Sequence, residues 1–322
     1  MGLSYTNPVD YLFLQTALIT KPRVIILGNS RSGQMRSDFF EAGTGVVTAS
    51  GFQKIAHVQA FLDNIPADQS PKVLMLGLDQ EFFNPNYDSL APDNIDDLLA
   101  KPTPVTDALA DWFDVYADYF SGKFTIGELL HPSSSAVGLL AIATNAGYRN
   151  DGSHEPGAVA SLTPQNPAAD DYEFRATLAF IDQGVQRFEY SNTISAGVLA
   201  ELNVLLAECQ ARHIHVIGFV PPYAAPVYEK VASLPDKYGY LNQLDPVVGA
   251  MFEKYGFTFY DFSDPRPLGI TDTEMTDGIH TTERGSLKLF IKMAETDPVL
   301  KGYANVSTLT QKLATEQGQY NL

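Results

Sequence analysis

Five short apolar stretches punctuate the chain: Arg23–Gly28, Gly45–Ala49, Lys72–Leu78, His213–Val220 and Phe257–Phe262. Each is rich in β-branched residues and nearly continuous. A strand wetted on one face would alternate instead, so the pattern predicts a parallel sheet covered on both sides. Helical spacing appears between these stretches. Phe52–Asn64 places Phe52, Ile55, Ala56, Phe61 and Leu62 on a partial stripe. Ser195–Arg212 does so more fully, with Val198, Leu199, Leu202, Leu205, Leu206 and Cys209 on one face. Leu241–Tyr255 and Thr281–Ile291 predict two further helices. Strands alternating with helices define an α/β fold in which helices flank a mainly parallel five-stranded sheet.

The middle of the chain breaks this rhythm. Asn84–Thr106 is rich in Asn, Asp and Pro and predicts a loop. Asp107–Ala146 has helical stretches and many aromatics, among them Trp112, Phe113, Tyr116, Tyr119 and Phe120. Gly147–Asp171 is again polar and proline-bearing. Residues 85–187 are too long for a simple connection. They predict a helical insertion within a single domain spanning 1–322, either a cap that shapes a substrate cleft or a decoration that touches no substrate. The aromatics would either form a small core for this insertion or stack on sugar rings.

Composition narrows the function. Hydrophobic residues make up 45% of 322 positions, enough for a sizeable core. Lys and Arg number 21 against 38 Asp and Glu, a net charge of −17. Such a surface repels phosphate backbones and argues against nucleic acid as a partner. No apolar run reaches the 18 residues of a membrane span, and no signal-peptide pattern opens the chain. The lone cysteine, Cys209, excludes an internal disulfide and fits a packed position on its helix.

Two turns carry candidate chemistry. The first strand runs into Gly28-Asn29-Ser30-Arg31-Ser32-Gly33. A phosphate loop would need Lys after Gly33, where Gln34 stands. A dinucleotide turn would need Gly at Ser30, and a nucleophile elbow would need Gly at Ser32. What is left is a serine at the carboxyl end of a buried strand, where open α/β sheets place ligands. Ser30 is there either as a nucleophile or as a helix cap. Far downstream, Asp277-Gly278-Ile279-His280 precedes the last predicted helix. It offers a base with a near-neutral pKa and a carboxylate to orient it, or else a polar capping loop.

Taken together, these turns resemble the SGNH (GDSL-like) hydrolase superfamily, in the style of its bacterial alginate O-acetyltransferase-like and D-alanyl-transfer-like branch. Gly28-Asn29-Ser30-Arg31, Asp277-Gly278-Ile279-His280, Gly77 through Asn84, and Val220-Pro221-Pro222-Tyr223 carry the likeness, over roughly residues 20–84 and 188–290. The resemblance implies a flavodoxin-like three-layer α/β/α fold. It matches Ser30 to the nucleophile, His280 to the base, Asp277 to the orienting acid and Gly51 to an oxyanion-binding amide. The superfamily's third block normally carries an oxyanion-donating Asn, but Asp79 stands there. A carboxylate repels an oxyanion, and one lost donor costs about 2.7–4 kcal/mol. Asn29 or Asn84 could supply the donor, and a protonated Asp79 is the other alternative.

The resemblance further implies an esterase or O-acyltransferase acting on acylated small molecules or glycans of the bacterial cell surface. It implies an extracytoplasmic location, a membrane-bound acyltransferase as partner, and no metal or organic cofactor. The alternative from another class is a non-catalytic module that binds glycan or protein. Arg31 either holds an anionic substrate group or pairs with one of the many carboxylates. His213 and His215 lie two apart on one strand without a third metal ligand at a recognisable spacing. His57 reads as packed or solvated, and His131 and His154 as loop residues.

Overall fold

The computed structural model describes residues 3–4, 9–87, 99, 112–113, 115–122, 125–131, 141–142, 145–157, 160 and 162–322. Strands β1 (Val24–Leu27), β2 (Val46–Ala49), β3 (Val73–Gly77), β6 (His215–Val220) and β7 (Thr258–Asp261) form one sheet in the order β2-β1-β3-β6-β7. Every neighbouring pair is parallel, with Val24 opposite both Val46 and Val73, and Val73 opposite His215. All residues of β1, β2 and β3 are buried, as continuous apolar runs require. Helices flank the sheet in a three-layer α/β arrangement. The order reverses between β1 and β3, so the chain leaves these neighbours in opposite directions. A crevice opens there at the carboxyl ends of the strands.

The helices follow the apolar stripes. Ile55–Asp63 buries Ile55, His57, Val58, Phe61 and Leu62, and packs against Ala196–Ala211. The latter begins where the Ser195 hydroxyl accepts from the Val198 N–H, and Cys209 is buried on its inner face. The final stripe forms Glu283–Thr296, capped by Thr282. An additional helix, Val9–Thr20, lies along β2.

One expectation changes. Leu241–Tyr255 is not one α-helix: a 3-10 turn (Leu241–Gln243) leads into a π-helical turn (Leu244–Gly249) and a short α-helix (Ala250–Lys254). Pro246 lies inside the π turn and cannot donate to a regular ladder. Within the polar stretch Gly147–Asp171, β4 (Gly147–Tyr148) and β5 (His154–Glu155) form a small antiparallel hairpin. It shields the edge of β2, where the Thr48 N–H donates to Asp151 O at 2.6 Å. It also reaches the serine turn, where the His154 N–H donates to Gly33 O at 2.7 Å.

Most of the loop expected over Asn84–Thr106, and much of the expected insertion, lie outside the described residues. Within the insertion Trp112, Phe113, Tyr116, Tyr119 and Phe120 are exposed, so these rings form no buried core of their own. No helix among the described residues is long and apolar enough to cross a membrane.

Candidate active site

The serine turn is shaped from below. The Ser32 side chain is tucked beneath it, so that a Cβ at Gly28 would lie 2.4 Å from the Ser32 hydroxyl and one at Gly77 would lie 2.2 Å from it. Neither position has room for a larger residue. Asn29 caps the 3-10 turn Ser30–Ser32, its Oδ1 accepting from the Arg31 N–H at 2.9 Å. Ser32 is buried and Ser30 exposed, so the strand end presents one hydroxyl to the crevice.

The second turn meets it there. Ser30 Oγ lies 2.7 Å from His280 Nε2, and His280 Nδ1 lies 2.7 Å from Asp277 Oδ2. Asp277 Oδ1 accepts from the backbone N–H groups of Ile279 and His280, both at 2.8 Å. Burial opposes its charge, but the His280 imidazole and these N–H groups hold the carboxyl far below the usual range. An ionised Asp277 fixes the tautomer with the proton on Nδ1, which leaves Nε2 free to accept the serine proton.

A buried carboxylate that sequence reading missed holds this loop. Asp171 Oδ2 accepts from the Gly278 N–H at 2.9 Å and from the Thr177 hydroxyl at 2.6 Å. Thr177 packs so closely that a Cβ at Gly278 would lie 2.5 Å from its hydroxyl. Asp171 stands in a polar stretch with no motif to mark it.

Asp79, Asn29 and Arg31 do not surround the serine oxygen as open groups. They form a buried brace under it. The Asn29 amide donates to Asp79 Oδ2, across the junction of β1 and β3. Arg31 pairs with Asp79 at 3.5 Å and donates to Ile279 O, Gln80 Oε1 and the carbonyls of Pro221 and Pro222. Only 3% of Arg31 is exposed. Of the two alternatives for Arg31, the structure shows the pairing with a carboxylate, and its donors are spent within the protein. Arg187 reaches the same cluster, 3.8 Å from Asp79 and 2.7 Å from Glu81. Burial and the adjacent Asp79 push Glu81 up to about 7, against the pull of Arg187 and Arg31. Asn84 is engaged elsewhere, donating to Glu189 O.

Two backbone donors stay open beside the serine. Among the described residues the N–H groups of Ser30 and Gly51 have no hydrogen-bond acceptor. Gly51 abuts Asp10, and a Cβ there would lie 1.9 Å from Asp10 Oδ1. Asp10 is buried, which pushes its carboxyl up to about 6.

A cavity of about 250 Å³ adjoins Ser30 and His280. A larger one of about 490 Å³ lies beside Tyr228, Asp245, Asp261 and Asp264; the Ser263 hydroxyl there donates to Asp261 Oδ1 at 2.6 Å, and no histidine among the described residues lines it. His215 faces Asp297 at 2.9 Å, at the opposite end of the sheet from Ser30. Among the described residues no group of three His, Cys, Asp or Glu side chains could hold a metal ion.

The chain matches no protein-family model, and comparison with curated proteins and with solved structures returns no match. The chemistry of the site therefore rests on its own geometry.

Proposed function

We propose that the protein transfers acyl groups through a serine ester, as an SGNH-type esterase or O-acyltransferase. The observation that carries this reading is the unbroken line Ser30 Oγ–His280 Nε2, His280 Nδ1–Asp277 Oδ2, with 2.7 Å at both contacts. Ser30 Oγ attacks the ester carbonyl carbon while its proton passes to His280 Nε2. The carbonyl oxygen becomes an oxyanion, for which the open N–H groups of Ser30 and Gly51 are the donors. Collapse of the tetrahedral intermediate breaks the bond to the leaving alcohol, which takes its proton from His280. Water then releases the acyl group as an acid, or a sugar hydroxyl accepts it as a new ester. Backbone donors of this kind supply what the missing family Asn would have supplied. Acylated glycans outside the cytoplasm are the substrate class this reading favours, and a membrane-bound acyltransferase is the partner it would take.

The test is labelling with a fluorophosphonate, comparing wild type with Ser30→Ala and His280→Ala. Adduct on Ser30 that both substitutions abolish supports the reading. Absence of labelling between pH 6 and 9 overturns it in favour of a non-catalytic binding module.

A further inference from the structure

At the amino end of the sheet, away from Ser30, another cavity of about 460 Å³ is lined by Lys21, Arg23 and Lys72. All three residues are exposed, and none makes a hydrogen bond or ion pair through its side chain among the described residues. Asp68 is the one carboxylate lining this cavity, and it pairs with none of them. The chain holds 38 Asp and Glu against 21 Lys and Arg, so acidic partners are abundant. Cations gathered around one hollow and left unpaired stand out against that background.

Two placements there work against stability. Lys21 directly follows the helix Val9–Thr20 with φ at 47°, in the left-handed region that Gly or Asn ordinarily fills at a helix end. Arg23 and Lys72 stand one position ahead of the register pair Val24 and Val73, and the Lys72 N–H donates to Arg23 O at 2.7 Å. Their backbones are neighbours on adjacent strands, where like charges repel. A glycine at 21 and a neutral residue at 72 would relieve both without touching the core, since both side chains are exposed. An anion held among the three turns the repulsion into attraction. The remaining wall is fixed in advance. Gln69 and Ser70 line it, and Arg212 Nε donates to Ser70 Oγ at 3.0 Å while the same guanidinium donates to the Leu62 and Ile65 carbonyls at 2.9 and 2.8 Å.

Positive charge from three side chains suits a ligand with more than one negative charge. A carboxylate brings one charge and two oxygens in a plane. A phosphate monoester or a pyrophosphate brings more charge, and its tetrahedral oxygens meet several donors at once. The net charge of −17 repels a long phosphate polymer. At physiological salt, however, charges act over only about 8 Å, so for a small ion the local cluster decides. The volume falls in the range of about 300–1,000 Å³ found for small-ligand sites. We propose that this cavity binds a compact phosphate carrying at least two negative charges, held by Lys21, Arg23 and Lys72. The site lies at the opposite end of the sheet from the serine and does not rest on the serine-ester reading.

The experiment titrates the full chain calorimetrically with inorganic pyrophosphate, and with citrate as a carboxylate of similar charge. One site with a Kd of about 1 mM or tighter is expected at low salt, weakening as salt rises. Arg23→Gln and Lys72→Gln should each weaken it about tenfold, the size of one charge-assisted hydrogen bond. Lys230→Gln removes the same charge outside the cavity and should leave Kd within about twofold. Inorganic phosphate and glycerol phosphate, titrated in parallel, tell a free ion from a monoester, and tighter binding of either supports the site. Absence of pyrophosphate binding overturns the proposal. Binding that all three substitutions weaken alike also overturns it, because net charge alone then attracts the ion. Citrate binding as tight as that of pyrophosphate overturns the assignment to phosphate.

Discussion

Asp171 and Gly278 are joined by one hydrogen bond of 2.9 Å, and through it the polar segment before the helix Arg175–Gln183 holds the turn that carries His280. Gly278 sits between Asp277 and His280. Its own carbonyl accepts from the Ala224 N–H at 2.9 Å, so the turn is gripped from both sides. Asp171→Ala removes one grip without touching the reacting atoms. The expected outcome is a loss in kcat on the order of 10²-fold with KM little changed, since an ångström of misplacement costs about that much. Gly278→Ala, which drives a methyl into Thr177, should behave the same way. Steady-state kinetics on an activated ester checks both, and a KM effect without a kcat effect would contradict the positioning role.

Asp277→Asn tests the other partner of the histidine. Asn can donate to Nδ1 and so stabilise the wrong tautomer. A fall in kcat of about 10⁴-fold is expected, with the fold intact, as for the corresponding change in serine proteases. Because Asp277 stays ionised far into the acid range, its own titration leaves no step in the wild-type pH–rate profile above about pH 4, the ordinary carboxylate value. A step near pH 4 that disappears in Asp277→Asn would count against the ionised carboxylate.

The brace under the serine turn should matter for stability. Asp79 is fully buried between Arg31 and Arg187. Replacing it with Asn leaves Arg31 buried beside fewer negative charges. A loss of about 3 kcal/mol is expected, read from urea unfolding monitored by circular dichroism. Higher ester turnover in Asp79→Asn, at unchanged stability, would instead show that the new amide reaches the oxyanion.

Asp10 sets a pH dependence of stability. Its carboxyl is held at about 6 in the folded chain, from an ordinary 3.8. The folded state therefore binds this proton more tightly than the unfolded state. The resulting stability is fully present below about pH 3.8 and is lost as pH rises through about 6. Asp10→Asn, which keeps the shape without the charge, should gain about 2 kcal/mol on wild type between pH 4 and pH 8. Urea titrations at the two pH values measure it, and an equal difference at both would refute the raised pKa. Because Asp10 crowds Gly51, the same pair predicts that Gly51→Ala loses activity and that Asp10→Ala in the same chain restores part of it.

β1, β2, β3 and β6 were legible because strands buried on both faces must be apolar throughout, whereas β7 is a partly exposed edge strand whose aromatic residues marked it. Ser30, Asp277 and His280 could be named because strand ends and tight turns leave short signatures. What could not be read depends on contacts between distant segments. No local pattern separates a buried arginine from an exposed one, so the sequence left Arg31 open between an anionic substrate group and a carboxylate partner. Asp171 and Tyr320 lie in polar stretches without periodicity, yet one holds the histidine turn and the other lines the cavity. The helix Val9–Thr20 is apolar on nearly all sides and offers little stripe to detect. Pro246 marked the place where Leu241–Tyr255 departs from a regular helix, but its spacing alone still suggested one.

Ser30 and His280 are separated by 249 intervening positions, and every neighbouring strand pair between them in the sheet is parallel. Parallel pairings of this kind form late, because each must close a long loop before any contact rewards it. Ser30 can meet His280 only after β1, β3, β6 and β7 have all docked and the loop beyond β7 has folded back, so on the serine-ester proposal its reactivity arises last. Time-resolved appearance of serine reactivity during refolding would thus serve as a clock for the last step of assembly.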